Sequence, residues 1–166
     1  MKAKLIIEGK EIEVEISEEE YEKIQPSETG YERVSELDIY FYANSGGYVE
    51  TACEDYYDVD NEYYESANYY SDKTVAENNA RADKLMRQLR RFAVEHRECG
   101  VNFNDINAEK YYIYYDYENN ELNVGFVLRS RNFGAIYFDP EETAQAAIDE
   151  FHDELIWYFT EYKDSL

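Results

Sequence analysis

Strict alternation opens the chain. Ile12, Val14 and Ile16 fall on one face, with Glu11, Glu13 and Glu15 on the other, the period-two pattern of a half-buried strand. Glu8-Gly9-Lys10 supplies a turn, so residues 2–16 predict a β-hairpin. Ser17 followed by Glu18, Glu19 and Glu20 is a capping box with acids in the first turn. It predicts a short helix to about Gln25, ended by Pro26. A second hairpin is predicted from Ile39-Tyr40-Phe41-Tyr42, the turn Asn44-Ser45-Gly46-Gly47 and Tyr48-Val49-Glu50. After an acidic, aromatic stretch at 54–65, Ala67-Asn68-Tyr69-Tyr70 reads as a strand leading through an N-cap at Ser71 into a long helix. Apolar residues at 82, 85, 86, 89, 92 and 93 give that helix one buried face, and Gly100 is its predicted stop.

The pattern then recurs. Tyr111-Tyr112-Ile113-Tyr114-Tyr115, a turn at Glu118-Asn119-Asn120, and Leu122 to Val127 predict a third hairpin. Ala135-Ile136-Tyr137-Phe138 predicts a short strand. Asp139 as N-cap, Pro140 at N1 and Glu142 at N3 start a last helix. Its apolar positions include Ala144, Ala147, Ile148, Phe151, Leu155 and Trp157. Ala67 to Ser71 matches Ala135 to Asp139, Ala76 matches Ala144, and Tyr40-Phe41-Tyr42 matches Tyr112-Ile113-Tyr114. The expected fold class is therefore α+β: antiparallel hairpins each followed by a helix. Three units are expected: a hairpin–helix module at 1–30, and two related hairpin–strand–helix units at 31–100 and 101–166.

Composition changes the picture in one respect. The 38 acidic against 16 basic residues give a net charge of -22. Yet 44% of the chain is hydrophobic and 17% aromatic, which separates it from disordered acidic tails. The 19 tyrosines suit half-buried strands and binding surfaces. Anionic membranes and nucleic acids are expected to repel such a chain unless its charge is segregated. No apolar run is long enough to span a bilayer, and the run from Met1 to Ile7 is too short for a signal peptide. Cys53 and Cys99 form no disulfide framework, so a reducing cytoplasm is the expected setting.

Candidate chemistry is sparse. No phosphate-cradling glycine loop and no nucleophile elbow occurs. His96, Cys99 and Cys53 could ligate zinc, but lack a tight pair, so neither a metal nor another cofactor is expected. Asp58-Val59-Asp60-Asn61-Glu62 starts like a calcium loop, but Tyr63 and Tyr69 stand where its glycine and closing glutamate belong. Arg81, Lys84, Arg87, Arg90, Arg91 and Arg97 gather along the long helix. They suggest a helix lying beside acidic strands, or alternatively a local phosphate-binding face.

The remaining acid alternates with tyrosine. The candidate partner-binding surface is Glu54, Asp55, Tyr56, Tyr57, Asp58, Asp60 and Glu62, with Asp116 and Glu118. The plainer reading is solvated edges and loops over packed tyrosines. The sharper reading is a surface imitating DNA, with carboxylates in place of phosphates. The charge of -22 equals that of roughly 37 Å of duplex at one charge per about 1.7 Å. That is near the ~40 Å breadth of a compact chain of this size.

Lys4-Leu5-Ile6-Ile7-Glu8-Gly9-Lys10, Gly30-Tyr31-Glu32-Arg33-Val34, Gly47-Tyr48-Val49, Leu89-Arg90-Arg91-Phe92-Ala93 and Gly134-Ala135-Ile136-Tyr137-Phe138 carry a resemblance. The chain resembles small acidic accessory proteins of phages and mobile elements of Gram-positive bacteria. By analogy this implies a counter-defence, anti-CRISPR-like inhibitor in the host cytoplasm. Its partner would be a bacterial protein with a basic nucleic-acid-binding groove, such as a CRISPR effector, with no direct contact to nucleic acid or membrane. The alternative is a structural or adaptor module that forms homo- or hetero-oligomers. An enzyme would need a deep pocket with convergent polar groups.

Overall fold

The computed structural model describes residues 29–164, Ser17, and the strands β1 (Lys2–Ile7) and β2 (Lys10–Glu15). Strands β1 and β2 pair antiparallel from Lys2 with Glu15 to Ile7 with Lys10, as the alternation predicts. The helix expected at 18–25 and the turn at 8–9 lie outside the described residues.

The fold is α+β. The second hairpin joins β3 (Ile39–Ala43) to β4 (Val49–Cys53). Its turn is closed by Asn44, whose Oδ1 accepts from the N–H groups of Gly46 and Tyr48 at 2.9 and 3.1 Å. Helix α1 (Asp58–Glu65) follows, in a stretch where the alternation of acid and tyrosine hides any helical period. Helix α2 (Lys73–Glu95) runs next, then β5 (Lys110–Asp116), β6 (Glu121–Val127) and α3 (Glu141–Thr160).

Several boundaries differ from expectation. The N-cap of α2 is Asp72, not Ser71, and its carboxylate accepts from Val75 N–H at 3.0 Å. That helix ends at Glu95, so Arg97 lies beyond it and Gly100 sits in the following loop. Helix α3 starts after Pro140, because the Asp139 carboxylate is turned to the amides of Cys99 and Gly100 instead.

The two predicted third strands shrink to single bridges, Phe41 with Tyr70 and Tyr111 with Phe138. In the first unit the reason is visible. Ala67 takes a left-handed φ of 55°. The Asn68 side-chain amide then replaces a backbone unit, accepting from Ala43 N–H at 2.9 Å and donating to Ala43 C=O at 2.8 Å. The bridges also correct the match between the units. Phe41 corresponds to Tyr111, two residues from the pairing read in the sequence. A shift of two keeps every side chain on its face, so alternation alone cannot detect it.

Three packed groups hold these elements. Leu85, Leu89 and Phe92 of α2 meet Phe138 and Ala144, Ala147, Ile148 and Leu155 of α3, beneath Ile113 and Val124 of the β5–β6 hairpin. Tyr70, Val75 and Ala76 pack with Tyr31, Phe41 and Val49. Tyrosines fix α1 and the segment after it to β3: Tyr42 stacks on Tyr63 of α1 at 4.4 Å, and Tyr40 on Tyr69 of the following segment at 4.1 Å. Arg81 offsets charge through Glu154 of α3 (2.8 Å), so the acid facing α2 there comes from a helix, not from a strand.

Gly30 has a φ of 88°, and a Cβ there would lie 2.6 Å from Val75 Cγ2. Gly134 has a φ of 76° with nothing within 4 Å of that position. Replacing Gly30 by Ala should cost about 2–4 kcal/mol, combining left-handed strain with overpacking. Gly134→Ala should cost about 1 kcal/mol, from the backbone alone. Urea midpoints of the two variants check this.

Candidate functional site

Arg33 is the lone basic residue between Lys23 and Lys73. Its guanidinium meets the Glu54 carboxylate in a two-pronged pair of 2.8 and 3.0 Å. Glu54 is wholly buried. Its oxygens also accept from Tyr69 Oη at 2.8 Å and from Tyr56 N–H at 2.8 Å. The Tyr69 hydroxyl in turn accepts from Val34 N–H. The Arg33 hydrogen bonds, helped by Tyr69 and Tyr56 and opposed by burial, hold the Glu54 carboxyl below the usual carboxylate range. The guanidinium carbon lies 4.7 Å from the Tyr56 ring centre and 5.3 Å from that of Tyr64, within cation–π range.

Asp60 makes a second internal anchor. It accepts from Tyr40 Oη at 2.8 Å, and its other oxygen takes the N–H groups of Asp55 and Tyr57 at 3.2 and 3.0 Å. The bond to Tyr57 is half of a capping box, because Tyr57 precedes α1 and Asp60 stands at its third position. Burial, then the bond to Asp60, raises the Tyr40 hydroxyl well above its usual range. Tyr42 is pushed up to about 12, chiefly by donating to Glu50.

These anchors correct two assignments. Glu54 and Asp60 were expected on the partner-facing surface as phosphate mimics. Both are buried, because each carboxylate is the acceptor that gathers otherwise unpaired donors of the turn. The other residues of the stretch point outward. Asp55, Asp58 and Glu62 are exposed, with Tyr57 at 70%, Val59 at 51% and Tyr56 at 50% exposure. Tyr56 has a φ of 56° and Leu37 a φ of 72°. Leu37 N–H donates to Glu54 C=O at 2.8 Å, so both left-handed residues are tied to the same glutamate. Strain of this kind persists only where the surroundings over-determine it.

Asp116 and Glu118 belong to a different element, the tip of the β5–β6 hairpin. Asp116 accepts from the amides of Glu118 and Asn119 and from Asn119 Nδ2, which makes it a turn-forming residue with a lowered carboxyl. That tip is tied to α3 through Tyr117 Oη and Phe159 C=O at 2.8 Å, not to α1. The start of α1 also removes the calcium-loop resemblance. Its Asp58-Val59-Asp60 segment is helical, and the Asp60 carboxylate is turned inward. Cys53 and Cys99 are both free and exposed, and among the described residues no group of three metal-ligating side chains gathers. Arg33 and Tyr69 are the site members that pattern reading missed. The isolation of Arg33 in an acidic stretch was the signal for the first. Comparison with protein families, curated proteins and solved structures finds no match for the chain.

Two measurements check this geometry. Glu54→Gln should cost about 3 kcal/mol, the scale for removing one partner of a buried pair. The Glu54 pKa is lowered by folding, so its stabilisation is complete above its unfolded value of about 4.3 and is lost as pH falls through the folded value. The wild-type urea midpoint should therefore drop on acidification more steeply than that of Glu54→Gln. Partial desolvation, then the carboxylates of Asp55, Asp60, Asp38 and Glu54, push the Cys53 thiol up. In a Cys99→Ser background, Cys53 should react with an anionic disulfide reagent more slowly than free cysteine. The rate should rise with salt as the carboxylate field is screened.

Proposed function

We propose that the protein acts by binding rather than by catalysis. Its exposed surface at 55–62 docks into the basic nucleic-acid groove of a bacterial protein and competes with nucleic acid there. The observation that carries this reading is the division of labour within one short stretch. Glu54 and Asp60 hold the turn from inside, while Tyr56, Tyr57 and Val59 stand out among Asp55, Asp58 and Glu62. Exposed aromatic anchors rimmed by charge are what partner recognition uses. A turn held in its bound shape loses little freedom on docking. The carboxylates complement a basic groove and speed encounter with it. The resemblance to phage accessory proteins makes a CRISPR effector the first partner to test, and a counter-defence inhibitor of the host cytoplasm the working description.

A second reading, a structural or adaptor module, draws on one feature. Among the described residues the outer edge of β4 pairs with no strand, and such an edge invites pairing with another chain. An oligomer that survives high salt and ignores changes at 55–62 would favour it.

The test is competition. Adding this protein in excess to a purified effector should displace its DNA, less so as salt rises. The triple change Asp55→Lys, Asp58→Lys and Glu62→Lys should weaken displacement by about tenfold or more. Its thermal midpoint should hold, since these side chains are exposed. Normal DNA binding by the effectors tried, with the wild-type protein in large excess, would sink the competitive mechanism for them.

A further inference from the structure

A cleft of about 480 Å³ opens between the C-terminal part of α2 and the loops on either side of the β5–β6 hairpin. Its charged lining has the opposite sign to the surface at 55–62. Arg90, Arg97 and Arg131 line it, with Phe103 and Tyr137 as aromatic wall. A second hollow of about 440 Å³ shares Arg90 and Arg131. We propose that this cleft binds a nucleotide, its phosphates on the arginines and its base against Phe103.

Three observations support this. First, among the described residues Arg33, Arg81 and Arg91 pair with carboxylates, Arg87, Arg90, Arg97, Arg129 and Arg131 pair with none, and three of those five line this cleft. In a chain with 38 acids and 16 bases, three cations without carboxylate partners around one cleft are not accounted for by local neutralisation. The one acid lining the cleft, Asp139, already accepts from Cys99 and Gly100 N–H, and so fixes the wall that carries Arg97.

Second, the aromatic wall is built. Phe103 meets Tyr137 edge-on at 5.1 Å and 82°, and the Arg131 guanidinium lies 5.0 Å from the Phe103 centroid. Beside that ring the wholly buried Lys110 ties down the loop. Its Nζ donates to the carbonyls of Asp105, Ala108 and Leu128 at 2.5, 2.6 and 2.7 Å, three donors for three acceptors. Guanidinium groups recognise phosphate through paired hydrogen bonds, and aromatic rings stack bases of any kind.

Third, size and charge select the ligand. The volume lies in the range of small-molecule sites. A net charge of -22 repels a long polyanion much more strongly than a mononucleotide, so the cleft favours a free nucleotide over a nucleic-acid strand.

Amide-resolved NMR of the full chain tests this with four probes: ATP, adenosine, tripolyphosphate and a single-stranded oligonucleotide. ATP should shift amides within 97–103 and 131–137. Adenosine and tripolyphosphate should each bind about tenfold more weakly or worse, because each lacks one half of the contacts. The double change Arg97→Gln and Arg131→Gln should weaken ATP by about tenfold or more, with amides away from the cleft unmoved. Phe103→Leu should weaken ATP and leave tripolyphosphate unchanged. The proposal is overturned by any of four results: no ATP-induced shifts in the cleft at millimolar ATP, tripolyphosphate matching ATP, the oligonucleotide binding more tightly than ATP, or the double variant binding ATP as the wild type does. None of these results bears on the surface at 55–62, which the competition assay tests separately.

Discussion

The buried carboxylate of Glu54 is the constraint on which the candidate surface depends. An ion out of water is costly unless all of its acceptor capacity is met. Here it is met from four directions at once: two prongs of Arg33, the hydroxyl of Tyr69 and the amide of Tyr56. Those donors come from the segment before β3, from the entry to α2, and from the turn before α1. One side chain therefore sets the relative position of three pieces of chain that no sheet ladder joins. The left-handed turn at Tyr56 exists because its N–H points at that carboxylate, and the outward aim of Tyr57 and Asp58 follows from the turn.

The abundance of tyrosine and the abundance of acid are one property seen twice. A carboxylate only accepts hydrogen bonds. With 16 basic residues for 38 acids, cations cannot serve them all. Tyrosine hydroxyls supply the missing donors without spending positive charge. Tyr40 serves Asp60, Tyr42 serves Glu50, Tyr69 serves Glu54 and Tyr111 serves Glu109. Among the described residues no buried side-chain nitrogen or oxygen lacks a partner. The rings meanwhile pack as core, so the same residue fills space and satisfies an acid. Tyr40 and Tyr69 are buried in this role, whereas Tyr56 and Tyr57 stay exposed.

How much of this was legible in the sequence depends on the periodicity involved. The hairpins and α2 follow period-two and helical spacing, and both appear where the pattern places them. Helix α1 was hidden because Tyr56-Tyr57-Asp58-Val59-Asp60 spaces neither its apolar nor its polar residues helically; the tyrosine cluster on β3 holds it. The strand expected at 67–70 was over-read because Asn68 copies a backbone hydrogen-bond pattern with its side chain. Of the candidate residues at 54–62, Asp55, Tyr56, Tyr57, Asp58 and Glu62 are exposed, whereas Glu54 and Asp60 are buried. Burial of a charged residue is fixed by donors distant in the chain, and neither Arg33 nor Tyr40 stands beside its acceptor in the sequence.

Charge is sorted as well as neutralised. Of the cations gathered along α2, Arg81 is spent on Glu154 and stacks over Trp157 at 3.9 Å, and Arg91 faces Glu95 on its own helix. Among the described residues none of them pairs with Asp55, Asp58 or Glu62, and Arg33 is committed to Glu54. Arg90 near the end of α2 and Arg97 just beyond it line the cleft, where Arg131 joins them from the loop after β6. A helix that merely offset acidic strands would have its arginines paired along its length. Here Arg81 and Arg91 are paired while Arg87 and Arg90 between them are not, and the cleft lined by Arg90, Arg97 and Arg131 holds one acid, Asp139.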